Sequence, residues 1–218
     1  MKKYIILISL SLSTLFANDK PQDAIQLIGA DGVKNLVNEI EPEKELTWLF
    51  KDGILTVGEG HIVTSMPVND FKAHIEFKVI NAPTKNKKKK SNGGNSGVYI
   101  QQRYEVQILD SHGNDANYKK TDCASIYKFK TPDQIVCKPA GEWQSYDIEF
   151  HAAKWEGDKK IANARITLIH NDVKVHDNVE IPNQTGHGKK ESPEALPLRL
   201  QDHNNPVQFR NFWLKELK

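Results

Sequence analysis

The residues best suited to chemistry fall in one short run. Tyr104-Glu105-Val106-Gln107-Ile108-Leu109-Asp110 alternates apolar and polar side chains. In a strand, Val106 and Ile108 face one side while Glu105 and Gln107 face the other. Polar groups on one face of a central strand cost free energy to bury without partners, so this pair lines a cleft or faces solvent. Leu109 is next in that alternation, and a bulge there would bring Asp110 onto the same face. Glu105, Gln107 and Asp110 would then form a row of two carboxyls with an amide between them. Paired carboxyls support acid–base work of a kind set by their separation. Their bland alternative is to hydrogen-bond loops around a sandwich rim.

Two further segments add polar groups. Gln201-Asp202-His203 ends a strand-like stretch and precedes a turn at Asn204-Asn205-Pro206. His203 could serve there as a base, a metal ligand or a loop-stabilising donor. Arg210 lies in a segment otherwise rich in Val, Phe and Trp, where a cation needs a partner. That partner is either a carboxylate, Glu105 among the candidates, or a substrate oxygen. His61, Thr64 and Arg103 are weaker candidates, Arg103 for substrate binding. Trp143 and Trp155 could stack on sugar rings, although Trp in a sandwich is more often core. No cofactor is called for, while a divalent metal stays open; Cys123 and Cys137 alone make no zinc site.

The elements that must position these residues read as short strands. Phe71, Ala73, Ile75, Phe77 and Val79 alternate with Lys72, His74, Glu76 and Lys78. Tyr146, Ile148 and Phe150 repeat the pattern, as do Ala164, Ile166 and Leu168, then Val173 and Val175, then Leu198 and Leu200. Val207 and Phe209 begin a last strand running into Phe212-Trp213-Leu214. Many short alternating segments separated by turn residues predict an all-β sandwich or barrel. Residues 22–37 are expected to hold a turn or two of helix.

Residues 1–17 pair a charged start at Lys2-Lys3 with an apolar run and a small residue at Ala17. That predicts a secretory signal peptide and a periplasmic or secreted protein, with residues 18–218 as one β-sandwich domain and no transmembrane segment in the mature chain. In an oxidising compartment Cys123 and Cys137 are expected to form a disulfide. The formal net charge of +2 selects neither nucleic acid nor membrane. The basic run Lys85–Lys90 has no interleaved aromatics and reads as a solvated hairpin loop.

The Glu105–Asp110 spacing resembles the strand motif of laminarinase-type glycosidases, Glu-x-Asp-x-x-Glu, with Gln107 and Asp110 departing from it. A fuller resemblance is to the 3-keto-disaccharide hydrolase domain family. It rests on Gly94-Asn95-Ser96-Gly97-Val98-Tyr99 with Tyr104–Asp110, then Gly141–Ile148, then Ala164–Val173 with Val175–Asn178, then Leu200–His203 and Val207–Trp213. Four separated motifs recur in order, over roughly residues 45–217. The resemblance implies a concanavalin A-like jelly roll of two curved antiparallel sheets. It also implies a carbohydrate substrate, a glycoside oxidised at C3. A 3-keto group acidifies the C2 proton, so a base can drive elimination at C1, and water addition completes net hydrolysis. Such a route needs no nucleophile, which would explain Gln107. The polar motif positions carried over are Glu105, Gln107, Asp110, Gln201, His203 and Arg210, with Glu105, Asp110 and His203 as acid–base candidates. Asp172 and Ser125 depart from the family's usual Gly. The alternative function is a non-catalytic, lectin-like carbohydrate-binding module, since the fold serves both; a structural envelope domain is a third.

Overall fold

A computed structural model describes residues 20–80 and 94–218. The expected signal peptide and the run Lys85–Lys90 lie outside the described residues. The strands are β1 (Ile25–Gly29), β2 (Gly32–Val33), β3 (Leu36–Asn38), β4 (Leu49–Lys51), β5 (Ile54–Thr56), β6 (Ile62–Thr64), β7 (Phe71–Lys78) and β8 (Ser96–Ile100). They continue with β9 (Tyr104–Ile108), β10 (Gln144–His151), β11 (Lys154–Glu156), β12 (Lys159–Ala162), β13 (Ala164–His170), β14 (Val173–Ile181), β15 (Arg199–Leu200) and β16 (Gln208–Glu216).

Strict alternation builds the layers. In β10 and β13 every second residue is buried, which turns Tyr146, Ile148 and Phe150 inward beside Ile166 and Leu168. The larger sheet runs β14-β13-β10-β7-β16-β1-β2, with β5 also on β16 and β4 on β5. The smaller sheet runs β3-β6-β15-β8-β9, and β11-β12 is a separate hairpin. The ladders among the described residues are antiparallel, and the architecture is the expected concanavalin A-like jelly-roll sandwich.

Between the sheets lies one apolar core. Phe77 packs on Tyr146 with ring centroids 4.6 Å apart, and Tyr104 of the smaller sheet meets Phe150 of the larger at 5.6 Å. Tyr146 also ties the two layers with polar contacts. Its hydroxyl donates to the Gln107 carbonyl at 2.7 Å and accepts from the Ala124 N–H at 2.9 Å. A buried hydroxyl satisfied on both counts fixes the height of β9 above the core.

Two expectations need correction. Residues 22–37 hold strands β1 and β2 and the start of β3, not helix. A register irregularity between Gln26 and Ile28 buries Leu27 and Ile28 side by side, and that break in alternation imitates helical spacing. Cys123 and Cys137 meet, but as free buried thiols hydrogen-bonded to each other. Each has another partner, the Tyr146 hydroxyl 3.2 Å from Cys123 Sγ and the Leu109 carbonyl 3.9 Å from Cys137 Sγ.

Candidate functional site

The outer face of the smaller sheet carries two adjacent rows of side chains. Strand register sets the first: Val63 faces Arg199, Arg199 faces Tyr99, and Tyr99 faces Glu105. The neighbouring row runs His61, Gln201, Gly97, Gln107. Gln201 N–H donates to the Gly97 carbonyl at 3.0 Å, and Gly97 faces Gln107. Segment 124–127 lies along the free edge of β9, where Tyr127 N–H donates to the Glu105 carbonyl at 2.9 Å and Gln107 N–H to the Ser125 carbonyl at 3.0 Å. Directly opposed residues stand about 4.5–5.5 Å apart, so the first row is a strip of neighbouring side chains, while Gly97 leaves a gap in the second.

Glu105 is the centre of this surface. It is 2% exposed although it faces away from the core. Its cover comes from the loop after β14. The Thr185 hydroxyl accepts from Glu105 N–H at 2.8 Å, and Gly186 sits where a Cβ would lie 3.2 Å from Glu105 Oε2 and 2.4 Å from the Tyr127 ring. Gly186 has φ +55°, so glycine is suited there both in backbone and in space. Burial pushes the Glu105 carboxyl up to about 7; a hydrogen bond from Tyr99 and the charges of Arg199 and Lys128 pull the other way. Burial raises Tyr99 above its usual phenol range, so it stays a donor.

Four buried polar atoms on this face have no hydrogen-bond partner among the described residues: Glu105 Oε2, Gln107 Oε1, Gln201 Oε1 and Arg199 Nε. Buried polar atoms are normally paired, and four orphans on one face mark a surface shaped for something else. Arg199 is held for that purpose, its guanidinium 4.0 Å over the Tyr99 ring and 3.5 Å from Glu39. His61 lies at the far end. Burial and Arg199 lower its imidazole, which keeps it neutral near pH 7. Its Nδ1 accepts from Asp202 N–H at 3.1 Å, so the neutral ring carries its proton on Nε2. Beyond Asp202 opens a hollow of about 500 Å³ bordered by Glu59, Asn204 and Asn205.

The structure brings together Glu105, Gln107 and Gln201 from among the sequence candidates. It does not bring Asp110 to them. The β8–β9 ladder is regular from Ser96↔Ile108 to Ile100↔Tyr104 and β9 ends at Ile108, so no bulge turns Asp110 onto their face. Asp110 lies near Cys137 and His112 instead. His203 is exposed on the turn after Gln201, at the rim near His61. Arg210 belongs to the other sheet, where its Nε binds Glu76 at 2.6 Å, so its partner is not Glu105. Arg103 points into the loop beyond β14, bonded to the carbonyls of Lys190 and Glu194, Gln101 Oε1 and Ser192 Oγ. Thr64 binds Met66 and Leu198 backbone. Tyr99 and Arg199 were not singled out in the sequence, yet Tyr99 sits between Val98 and Ile100, and Arg199 between Leu198 and Leu200. The same alternation that turns Glu105 away from the core places them on its face.

The sequence pattern of the 3-keto-alpha-glucoside-1,2-lyase-like domain matches residues 29–215. The chain belongs to that family. It is accordingly a carbohydrate-active domain of glycosyl-hydrolase type. A candidate glycosyl hydrolase from Parabacteroides distasonis is similar at 32% identity, with a TM-score of 0.78 over 90% of this chain and 85% of that one. A second from the same organism, at 24% identity and TM-score 0.57, covers 89% of this chain and 99% of its own and shares the fold. No curated protein matches. On the outer face of β8, β9 and β15, outward polar groups converge with an elevated carboxyl. Among the described residues no cluster of three or more His, Cys, Asp or Glu is arranged to hold a metal ion, and no helix is long and apolar enough to cross a membrane.

Proposed function

We propose that this face cleaves 3-keto-glycosides by elimination followed by hydration, with Glu105 as the base. The observation that carries this reading is the Glu105 carboxyl itself: buried, held near pH 7 and left with one oxygen unpartnered on the outer face. A base with a pKa near the working pH combines enough ionised form with enough basicity. The Glu105 carboxylate takes the C2 proton, and the electron pair moves to the C3 oxygen as enolate. Arg199 and the Nε2–H of neutral His61 supply positive charge and a donor for that oxygen. The enolate collapses, the C1–O bond breaks, and the leaving oxygen takes a proton, for which protonated Glu105 and its Tyr99 partner are the nearest donors. Water then adds across C1=C2 of the enone, its hydroxyl to C1 and a proton to C2. Gln107 and Gln201 present amides that hold sugar hydroxyls, and the hollow beside Asp202 has room for the group leaving C1.

Export and action in the periplasm or outside the cell follow from the reading of residues 1–17; the amino terminus of the mature protein checks that part. The chemistry is tested by giving wild type and Glu105→Gln a panel of 3-keto-glucosides. Turnover by wild type and its loss in the variant support the reading. Sugar binding without turnover by wild type would indicate a lectin-like module instead.

A further inference from the structure

The outer face of the larger sheet, on the opposite side of the sandwich from Glu105, has a second polar hollow of about 240 Å³. β7 turns Phe71, Ala73, Ile75 and Phe77 into the core and His74 and Glu76 outward. Register then sets Asp147 and Trp213 either side of His74, and Ser145 and Arg210 either side of Glu76. Lys138 and Trp143 close the rim.

His74 is 1% exposed and lines the hollow. Its Nδ1 binds Asp147 at 2.7 Å, whereas Nε2 has no hydrogen-bond partner, Glu76 Oε1 lying 3.8 Å away. Burial opposes charge on this ring, but Asp147 and Glu76 outweigh it and raise it to about 9. Both nitrogens are therefore donors at neutral pH, and Nε2 has only the Glu76 carboxylate as counter-charge, too far off for a hydrogen bond. A buried unpaired donor is costly, more so when charged.

Glu76 and Arg210 are matched to each other within the face. Glu76 accepts from Arg210 Nε at 2.6 Å and from Asn211 Nδ2 at 2.9 Å, and the Arg210 guanidinium lies 4.1 Å over Trp143. These pairs cancel much of the charge on the floor of the hollow. What the hollow offers instead is a mixture: donors from His74, Arg210 and Lys138, an acceptor in Glu76, and the Ser145 hydroxyl, which can do either. Vicinal sugar hydroxyls, each donor and acceptor at once, complement such a set. The volume lies just below the roughly 300–1,000 Å³ of drug-sized sites, which suits one ring.

We propose that this hollow is a second binding site, for a single neutral pyranose unit of a saccharide. It stands apart from the Glu105 cleft, so its failure would leave the elimination chemistry untouched. The test is a titration of the full domain with D-glucose and with cellobiose, following the indole N–H resonances of Trp48, Trp143, Trp155 and Trp213 by NMR. Trp143 and Trp213 are expected to shift with a dissociation constant of about millimolar order, while Trp48 and Trp155 stay in place. Ser145→Tyr, which fills the hollow, and Lys138→Met, a milder change at its rim, should each weaken that binding, Ser145→Tyr by about tenfold or more. Turnover of a 3-keto-glucoside by both variants should stay within about twofold of wild type. The proposal is overturned if neither neutral sugar moves Trp143 or Trp213, if only an anion such as glucuronate does, or if the shifts survive in both variants.

Discussion

Glu105 Oε1 lies 2.6 Å from the point where a Cβ on Gly97 would stand. The carboxyl leans across the bare backbone of β8, diagonal to its own partner Tyr99. Gly97 is thus needed for space rather than for an unusual backbone angle.

Gly97→Ala should displace the Glu105 carboxyl while the ladder around it stays intact. A shift of about 1 Å at a reacting group costs on the order of a hundredfold in rate. kcat/KM on a 3-keto-glucoside is expected to fall by that much, with the circular dichroism spectrum unchanged.

The activity should depend on pH through the same carboxyl. The base works ionised, so kcat/KM is expected to rise with pH along a limb centred near 7. Tyr99 holds that value down by hydrogen bonding to the charged form. Tyr99→Phe should therefore move the limb to higher pH; a limb that stays put, or moves down, would contradict the hydrogen bond's role.

Stability should carry the opposite mark. The folded pKa of Glu105 lies above the unfolded value, so the folded state binds more protons between pH 4.5 and about 7. Its contribution is present below 4.5 and is lost as pH rises through 7. Glu105→Gln should gain on wild type across that window, by on the order of 3 kcal/mol at most, and by a constant amount above it. Urea denaturation at a series of pH values reads the difference.

Much of this was legible in alternation. β7, β10 and β13 stand where their apolar residues repeat with period two, and the same rule put Glu105 and Gln107 on one outward face. Alternation does not say which strands become neighbours. Arg199 and Tyr99 join Glu105 only because β15 and β8 pair in one register, a long-range fact absent from local pattern. Local pattern offers Glu105 as a partner for Arg210, whereas strand pairing gives it Glu76, the sixth residue of β7. Asp110 depended on a bulge that the regular β8–β9 ladder does not contain, while the helix expected over 22–37 came from a real irregularity in β1.

Arg103 should matter for the shape of the cleft although it lies outside it. Its guanidinium holds the loop that carries Thr185 and Gly186 over Glu105, and the Tyr104 hydroxyl binds Glu191 of the same loop. Arg103→Met leaves two backbone carbonyls without their cationic donor. It is expected to lower stability by about 3 kcal/mol and to make residues 184–194 sensitive to limited proteolysis. Unchanged protease resistance would remove Arg103 from that positioning role.

Removal of the C2 proton by Glu105 would leave an isotopic trace in the product. Cleavage of a 3-keto-glucoside in D₂O, with deuterium at C2 of the released sugar measured in the first turnovers, reads that trace. Wild type is expected to place one deuterium at C2, and Glu105→Gln to run at least about a hundredfold slower. Released sugar that keeps its original proton at C2, or a variant that turns over as fast as wild type, would contradict that role for Glu105.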